Sequence, residues 1–253
     1  MPENETKREW DNSAKAWADF VRTGKDYYRE GLNNPAAFEL VGNVKGLNVL
    51  DMACGEGFNT RILAAKGAKV TGIDFSPQLI ELAMQEEKKK ALGIKYLVMD
   101  AADLTGLPSN HFDLVTCFMA LQDIENYGKA VSEASRVLKP NGRFVFSIPH
   151  PCFEKISIDG RIIDAADNYL DEVKYPIHWN MERLSIPFET TSFHRTLTDY
   201  VNAVNKAGLY ISRLIEPKLT AKAYQKYPRL RENLKKPQSV VIECVKTPLS
   251  ATT

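Results

Sequence analysis

Charge of one sign is not in excess in this chain: 33 basic residues face 32 acidic ones, for a formal net charge of +1 at pH 7. A dedicated nucleic-acid binder carries a marked basic excess, so no nucleic-acid partner is expected. Cysteine is scarce and unclustered. Cys54, Cys117, Cys152 and Cys244 show no C-x-x-C spacing, which gives no metal site and reads as buried, reduced core thiols. No window holds the ~18 apolar residues of a membrane span. The opening stretch MPENETKREW is polar where a signal peptide is apolar. A soluble, cytoplasmic protein without a membrane partner is the expectation. No internal repeat or low-complexity tract is present. A further absence, of one glycine, gains its meaning from its surroundings.

At 253 residues and 44% hydrophobic, the chain can bury one sizeable core, and a single domain spanning 1–253 is expected. Residues 47–75 organise it, reading LNVLDMACGEGFNTRILAAKGAKVTGIDF. An apolar strand ends in Asp51, Gly55 and Gly57 make a turn, and a helical pattern follows from Phe58 to Lys66: the opening of a nucleotide-binding α/β unit. A second strand, Ala68 to Ile73, leads to Asp74, placed to accept hydrogen bonds from a ribose diol. A dinucleotide site requires G-x-G-x-x-G, yet Thr60 stands where the third glycine belongs. Asp51 would also set a carboxylate against the pyrophosphate of NAD or FAD at the helix N-terminus. S-adenosylmethionine (SAM), with its ammonium and sulfonium, suits that acid better.

VLDMACGEG followed by VTGIDFSPQLIELA resembles the two leading motifs of class I SAM-dependent methyltransferases that modify small molecules. YLVMDAADL (96–104), FDLVTCFMALQDIENY (112–127), RVLKPNGRFVFSIPHPCF (136–153) and HRTLTDYVNAVNKAGLYISRLIEP (194–217) extend the resemblance over about residues 26–245. It implies a Rossmann-like, doubly wound seven-stranded α/β sheet with an antiparallel last strand. It implies SAM contacts at Asp51, Ala53, Gly55, Gly57 and Asp74, with Phe75 over one adenine face, Asp100 on the adenine amino group and the Ala101 amide on a ring nitrogen. The cofactor's ammonium would meet backbone near Phe118, and the acceptor would lie close to Leu121 and Gln122. A segment ahead of the first motif folds over the cofactor in similar enzymes, so Tyr28 or Arg29 would touch its methionine end, Arg29 by a bidentate grip on the carboxylate.

Four regions are expected: an N-terminal helical cap (1–43), a SAM-binding core (44–149), an insertion (150–195), and a closing helix and strands (196–246). In the cap, Trp10 and Trp17 read as packing on the sheet edge. Only about a dozen residues separate the third strand from the fourth, Phe112 to Phe118, so that crossover has little or no helix. The insertion far exceeds a tight connection. Its Phe153, Tyr169, Tyr175, His178, Trp179, Phe188 and Phe193 read as a lid or acceptor pocket, with an edge decoration as the alternative. Thr196 and Asp199 form a capping box for the helix beyond it. Lys218 to Lys236 carries seven basic residues against Glu232 and reads as a solvated face, an anion groove being the alternative.

Methyl transfer from a sulfonium needs alignment and exclusion of water more than acid catalysis, while an oxygen or protonated nitrogen acceptor also needs a base. His150, just past strand five, is the first choice for that base and His194 the second; a structural His-Pro turn is the competing reading of His150. O-methylation is favoured over N- or C-methylation. A non-catalytic SAM-binding partner subunit and a nucleotide-dependent oxidoreductase are the alternative functions, and the chain is expected to be a monomer or homodimer.

Overall fold

The structure, a computed structural model, describes residues 5–158, 160–179, 184, 186–228, 230 and 235–247. The chain opens with α1 (Glu5–Arg22), a π-helical turn (Arg29–Asn33) and α2 (Asn34–Val41). There follow β1 (Asn48–Met52), α3 (Phe58–Ala65), β2 (Lys69–Asp74), α4 (Pro77–Lys89), β3 (Lys95–Val98), β4 (Phe112–Phe118), α5 (Tyr127–Val137) and β5 (Leu138–Pro149). Two hairpins form the insertion, β6 (Lys155–Ile158) with β7 (Arg161–Asp164) and β8 (Val173–Trp179) with β9 (Phe188–His194). α6 (Leu197–Lys206), β10 (Leu209–Ile215), α7 (Ala221–Lys226) and β11 (Ser239–Lys246) close the chain.

Seven strands make one sheet in the order β10-β11-β5-β4-β1-β2-β3. β1 to β5 pair in parallel, and β11 runs antiparallel to both β5 and β10. The period of two along each strand divides its side chains between two layers. Val49, Leu114, Val145 and Val241 face α2, α3 and α4 in one apolar cluster. Their neighbours Leu50, Val115, Phe144, Phe146 and Ile242 face α5 and α6 in the other. Both sheet faces are thereby buried, as a parallel sheet requires.

Local signals place the helix ends. Ser76 accepts from the Leu79 amide ahead of Pro77, and Thr196 and Asp199 form the expected capping box. No helix lies between β3 and β4. Strand order reverses beside β1, whose neighbours are β2 and β4. Ligands bind in the crevice that opens at the carboxyl ends of strands at such a reversal. There the chain leaves β1 through Ala53 (φ 51) and β4 through Met119 (φ 52), two non-glycine residues in the left-handed region. Such strain persists where surrounding structure enforces it, and it clusters at functional sites.

Among the described residues, no helix is long and apolar enough to cross a membrane, and no cluster of His, Cys, Asp and Glu could hold a metal. The basic stretch is described only in part. Lys222, Lys226, Lys235 and Lys236 are exposed, while Arg229, Arg231 and Glu232 lie outside the described residues.

Candidate functional site

A cavity of about 590 Å³ occupies this crevice. Its floor comes from the strand ends. Asp51 is buried at 2% exposure and accepts hydrogen bonds from the Thr60 and Thr116 hydroxyls, each at 2.6 Å. Thr60, conspicuous in the sequence as a missing glycine, is therefore a designated partner of the acid. Burial raises the Asp51 pKa, and the two hydroxyls oppose that rise. Asp74 accepts from the Gly55 amide at 2.9 Å and the Ser76 amide at 3.0 Å. Burial outweighs those bonds and lifts its pKa to about 6.

Ten of the residues expected at the cofactor line this cavity: Tyr28, Arg29, Asp51, Ala53, Gly55, Asp74, Phe75, Asp100, Ala101 and Phe118. Gly57 is not among the lining residues. At φ 83 it caps α3, and a Cβ there would collide with the Tyr96 ring, so steric need accounts for this glycine. Asp100 accepts from the Ala102 amide at 2.8 Å, a local turn that leaves the side chain exposed. Arg29 begins the π-turn; its Nε donates to Asp26 at 2.9 Å, and its guanidinium lies 5.5 Å from the ring centres of Trp17 and Phe58. π-turns recur at functional sites because they redirect side chains.

The opposite wall joins the N-terminal helix to the insertion. Trp17 meets Trp179 edge-on at 5.2 Å, Trp10 meets Trp17 at 5.6 Å, and Phe188 stacks on Trp179 at 5.7 Å. Glu9 of α1 accepts from both the amide and the hydroxyl of Thr191 on β9. The tryptophans expected on the sheet edge instead help enclose the cavity, where Trp10, Trp17 and Trp179 all contribute lining.

The histidines lie elsewhere. His150 is absent from the cavity lining. Its Nδ1 accepts from the Cys152 amide at 3.3 Å and its Nε2 lies 3.0 Å from Glu216, so the ring is committed to its own turn and to the strand-end loop beyond β10. His194 is fully buried, with Nδ1 2.6 Å from the Glu154 carboxylate and Nε2 3.1 Å from the Tyr169 carbonyl. Both partners are acceptors, so both nitrogens donate and the ring is an imidazolium. Although burial opposes the charge, Glu154 and the carbonyl prevail and raise its pKa. A ring held this way has no lone pair for a proton.

Sequence reasoning passed over Asp123 and Arg195. The Arg195 guanidinium, buried between Tyr127 and Phe193 at 4.2 and 4.7 Å, donates to the carbonyls of Leu121, Ile124 and Glu125. It thus pins the loop after β4 that carries Gln122 and Asp123 to the cavity. Gln122 Nε2 donates to the Met119 carbonyl at 2.8 Å and to Asp123 Oδ2 at 3.2 Å. Burial lifts the Asp123 pKa to about 7, opposed by the nearby Ser192 hydroxyl, the charge of Arg195 and the Gln122 amide; the Ser192 hydroxyl itself donates to the Gln122 backbone carbonyl at 3.3 Å. The stretch LQDIEN contains the acid, but nothing local shows that Arg195, 72 positions later, holds it there.

Acids at adjacent strand tips around the reversal point of a mostly parallel sheet define a nucleoside-binding α/β site of the Rossmann-like kind. The sequence profile described as "Methyltransferase domain" matches residues 50–146. A SAM-dependent methyltransferase from Mesorhizobium loti superimposes with a TM-score of 0.69 at 27% identity, covering 84% of this chain and 96% of that one. A Listeria monocytogenes structure described as a putative SAM-dependent methyltransferase shares the fold at TM-score 0.68 and 23% identity, over 85% and 96% of the two chains. Ubiquinone biosynthesis O-methyltransferase from Coxiella burnetii is 35% identical over 104 residues, 41% of this chain and 44% of that protein. The chain thus spans less than half the length of that relative. Residues 50–146 thus form a methyltransferase domain, and the chain shares the fold of class I SAM-dependent methyltransferases, the enzymes that use SAM as cofactor.

Proposed function

We propose that the enzyme methylates an oxygen of a small molecule enclosed between the strand ends and the aromatic wall. The observation that carries this reading is the single cavity shared by the acid-tipped strands and the tryptophans of α1 and β8. The strand-end chemistry fits SAM. Two buried carboxylates, Asp51 and Asp74, suit a cationic ligand with a ribose diol, and Arg29 beside them suits the ligand's carboxylate. Asp74 takes the ribose, Phe75, Asp100 and Ala101 the adenine, and Asp51, Ala53, Gly55, Tyr28, Arg29 and the backbone near Phe118 the methionine end. Bound SAM supplies a methyl group on a sulfonium whose departure needs no acid. The chain supplies alignment and dryness, worth about 7–11 kcal/mol where reacting groups are well oriented.

Regions 1–43 and 150–195 act together as the lid, with 44–149 as the cofactor core and 196–246 closing the sheet. The partial likeness to an O-methyltransferase supports oxygen as the acceptor atom. Calorimetry with S-adenosylhomocysteine (SAH) and with NAD tests the cofactor assignment: SAH binds and NAD does not. Tight NAD binding without SAH binding would end the reading.

A further inference from the structure

We propose that Asp123 is the base for the transferred methyl's acceptor, and that Gln122 Oε1 beside it receives a second O–H or N–H of the same molecule. This rests on the reading of the cavity as the acceptor site. Among the described residues, Asp123 Oδ1 and Gln122 Oε1 are buried oxygens with no hydrogen-bond partner. Both residues line the cavity. Buried acceptors without donors are costly, and a ligand that brings donors relieves that cost. Their orientation is fixed. The Gln122 amide must point Nε2 at the Met119 carbonyl, which turns Oε1 the other way, and Nε2 also occupies Asp123 Oδ2. The substrate class follows: a neutral molecule with two neighbouring hydroxyls, or a hydroxyl beside an amine, of which one is methylated.

The groups facing the carboxylate come from several elements. Gln122 shares its loop, Ser192 lies on β9, and Arg195 follows it. Glu154, beyond β5, opposes ionisation of Asp123 and is itself paired with the His194 cation. Tyr175 and Tyr200, both raised by burial, stay phenols. With Asp123 near 7, a large share is ionised at neutral pH and it retains basicity for a hydroxyl proton. Glu154 is spoken for, and no histidine lines the cavity. In the step, an acceptor oxygen lone pair forms the new bond to the methyl carbon, and the carbon–sulfur pair returns to sulfur. The acceptor proton passes to Oδ1. One positive and one negative charge vanish together, which favours the step in a dry cavity.

Asp123→Asn preserves shape and the Gln122 contact. Difference infrared titration of the parent, without any acceptor, should show a protonated carboxyl band that disappears near pH 7 and is missing from D123N. SAH affinity by calorimetry should agree within threefold. With a protein-free small-molecule extract as the probe, SAH release should fall by about 10²–10⁴, and the rise in parental rate up to about pH 7 should vanish. A band titrating at an ordinary carboxylate pH, or D123N releasing SAH within threefold of parent at every pH, overturns the proposal. If the parent binds SAH but releases none from the extract, the small-molecule reading fails instead, and the infrared titration alone decides whether Asp123 holds the proton.

Discussion

The cofactor wall of the cavity is assembled from residues near one another in sequence, whereas the acceptor wall joins residues more than a hundred positions apart. Asp51 and Thr60 bond across nine residues, Asp74 and Gly55 across nineteen. Trp17 and Trp179, or Glu9 and Thr191, meet only because α1 lies against the insertion. The first wall is rigid strand-end backbone with buried acids; the second is aromatic contact and one buried cation beneath a loop. Each wall should therefore fail separately.

The largest expected separation comes from replacing residues 153–193 with a short linker. Alignment and water exclusion disappear together, so methyl transfer should drop by at least about 10³, while SAH affinity measured by calorimetry stays within a few-fold. A shortened protein with full turnover would make the insertion decoration.

On the other wall, Asp74→Ala should weaken SAH by loss of charged hydrogen bonds worth about 1.5–3 kcal/mol, roughly ten- to more than hundredfold. The same group predicts a pH effect. Its folded pKa is raised to about 6, so in the free protein the proton is held above the unfolded range. Its stabilising contribution is complete at low pH and is lost as pH rises through about 6. Ribose binding favours the ionised form, so SAH affinity should fall by about tenfold per unit below pH 6. A flat profile between pH 5 and 7 would remove Asp74 from the ribose.

Trp179→Ala is the smallest of these effects. Loss of the edge-on and stacked ring contacts, about 0.5–1.5 kcal/mol apiece, should raise the acceptor KM by about three- to tenfold and leave SAH affinity unchanged. An equal loss in both would mean that the two walls are one cooperative unit.

The same contrast explains what could be read before the fold was known. Strand 4 over Phe112–Phe118, the Ser76-Pro77 helix start and the Thr196–Asp199 box are local patterns, and they stand where expected. Thr60 was legible as a departure from a glycine pattern, but its bond to Asp51 is a feature of the folded turn. Gly57 belonged to a ligand motif in sequence, and in the fold it answers to the Tyr96 ring. His150 lay at the correct end of strand 5, yet the direction of its ring is set by Glu216, sixty-six residues on. Trp10 and Trp17 carried a helical stripe with no hint of their partner. Asp123 sits in LQDIEN without any local sign that Arg195 anchors that loop.

The central claim is that SAM bound at the strand ends gives its methyl group to a small molecule under the aromatic wall. Incubation with methyl-tritiated SAM, a protein-free small-molecule extract and, in parallel, total RNA and unfractionated protein tests it directly. The account predicts label in a small molecule in one-to-one yield with SAH, and none in RNA or protein. Label confined to RNA or protein, with the small-molecule fraction unlabelled, would contradict it.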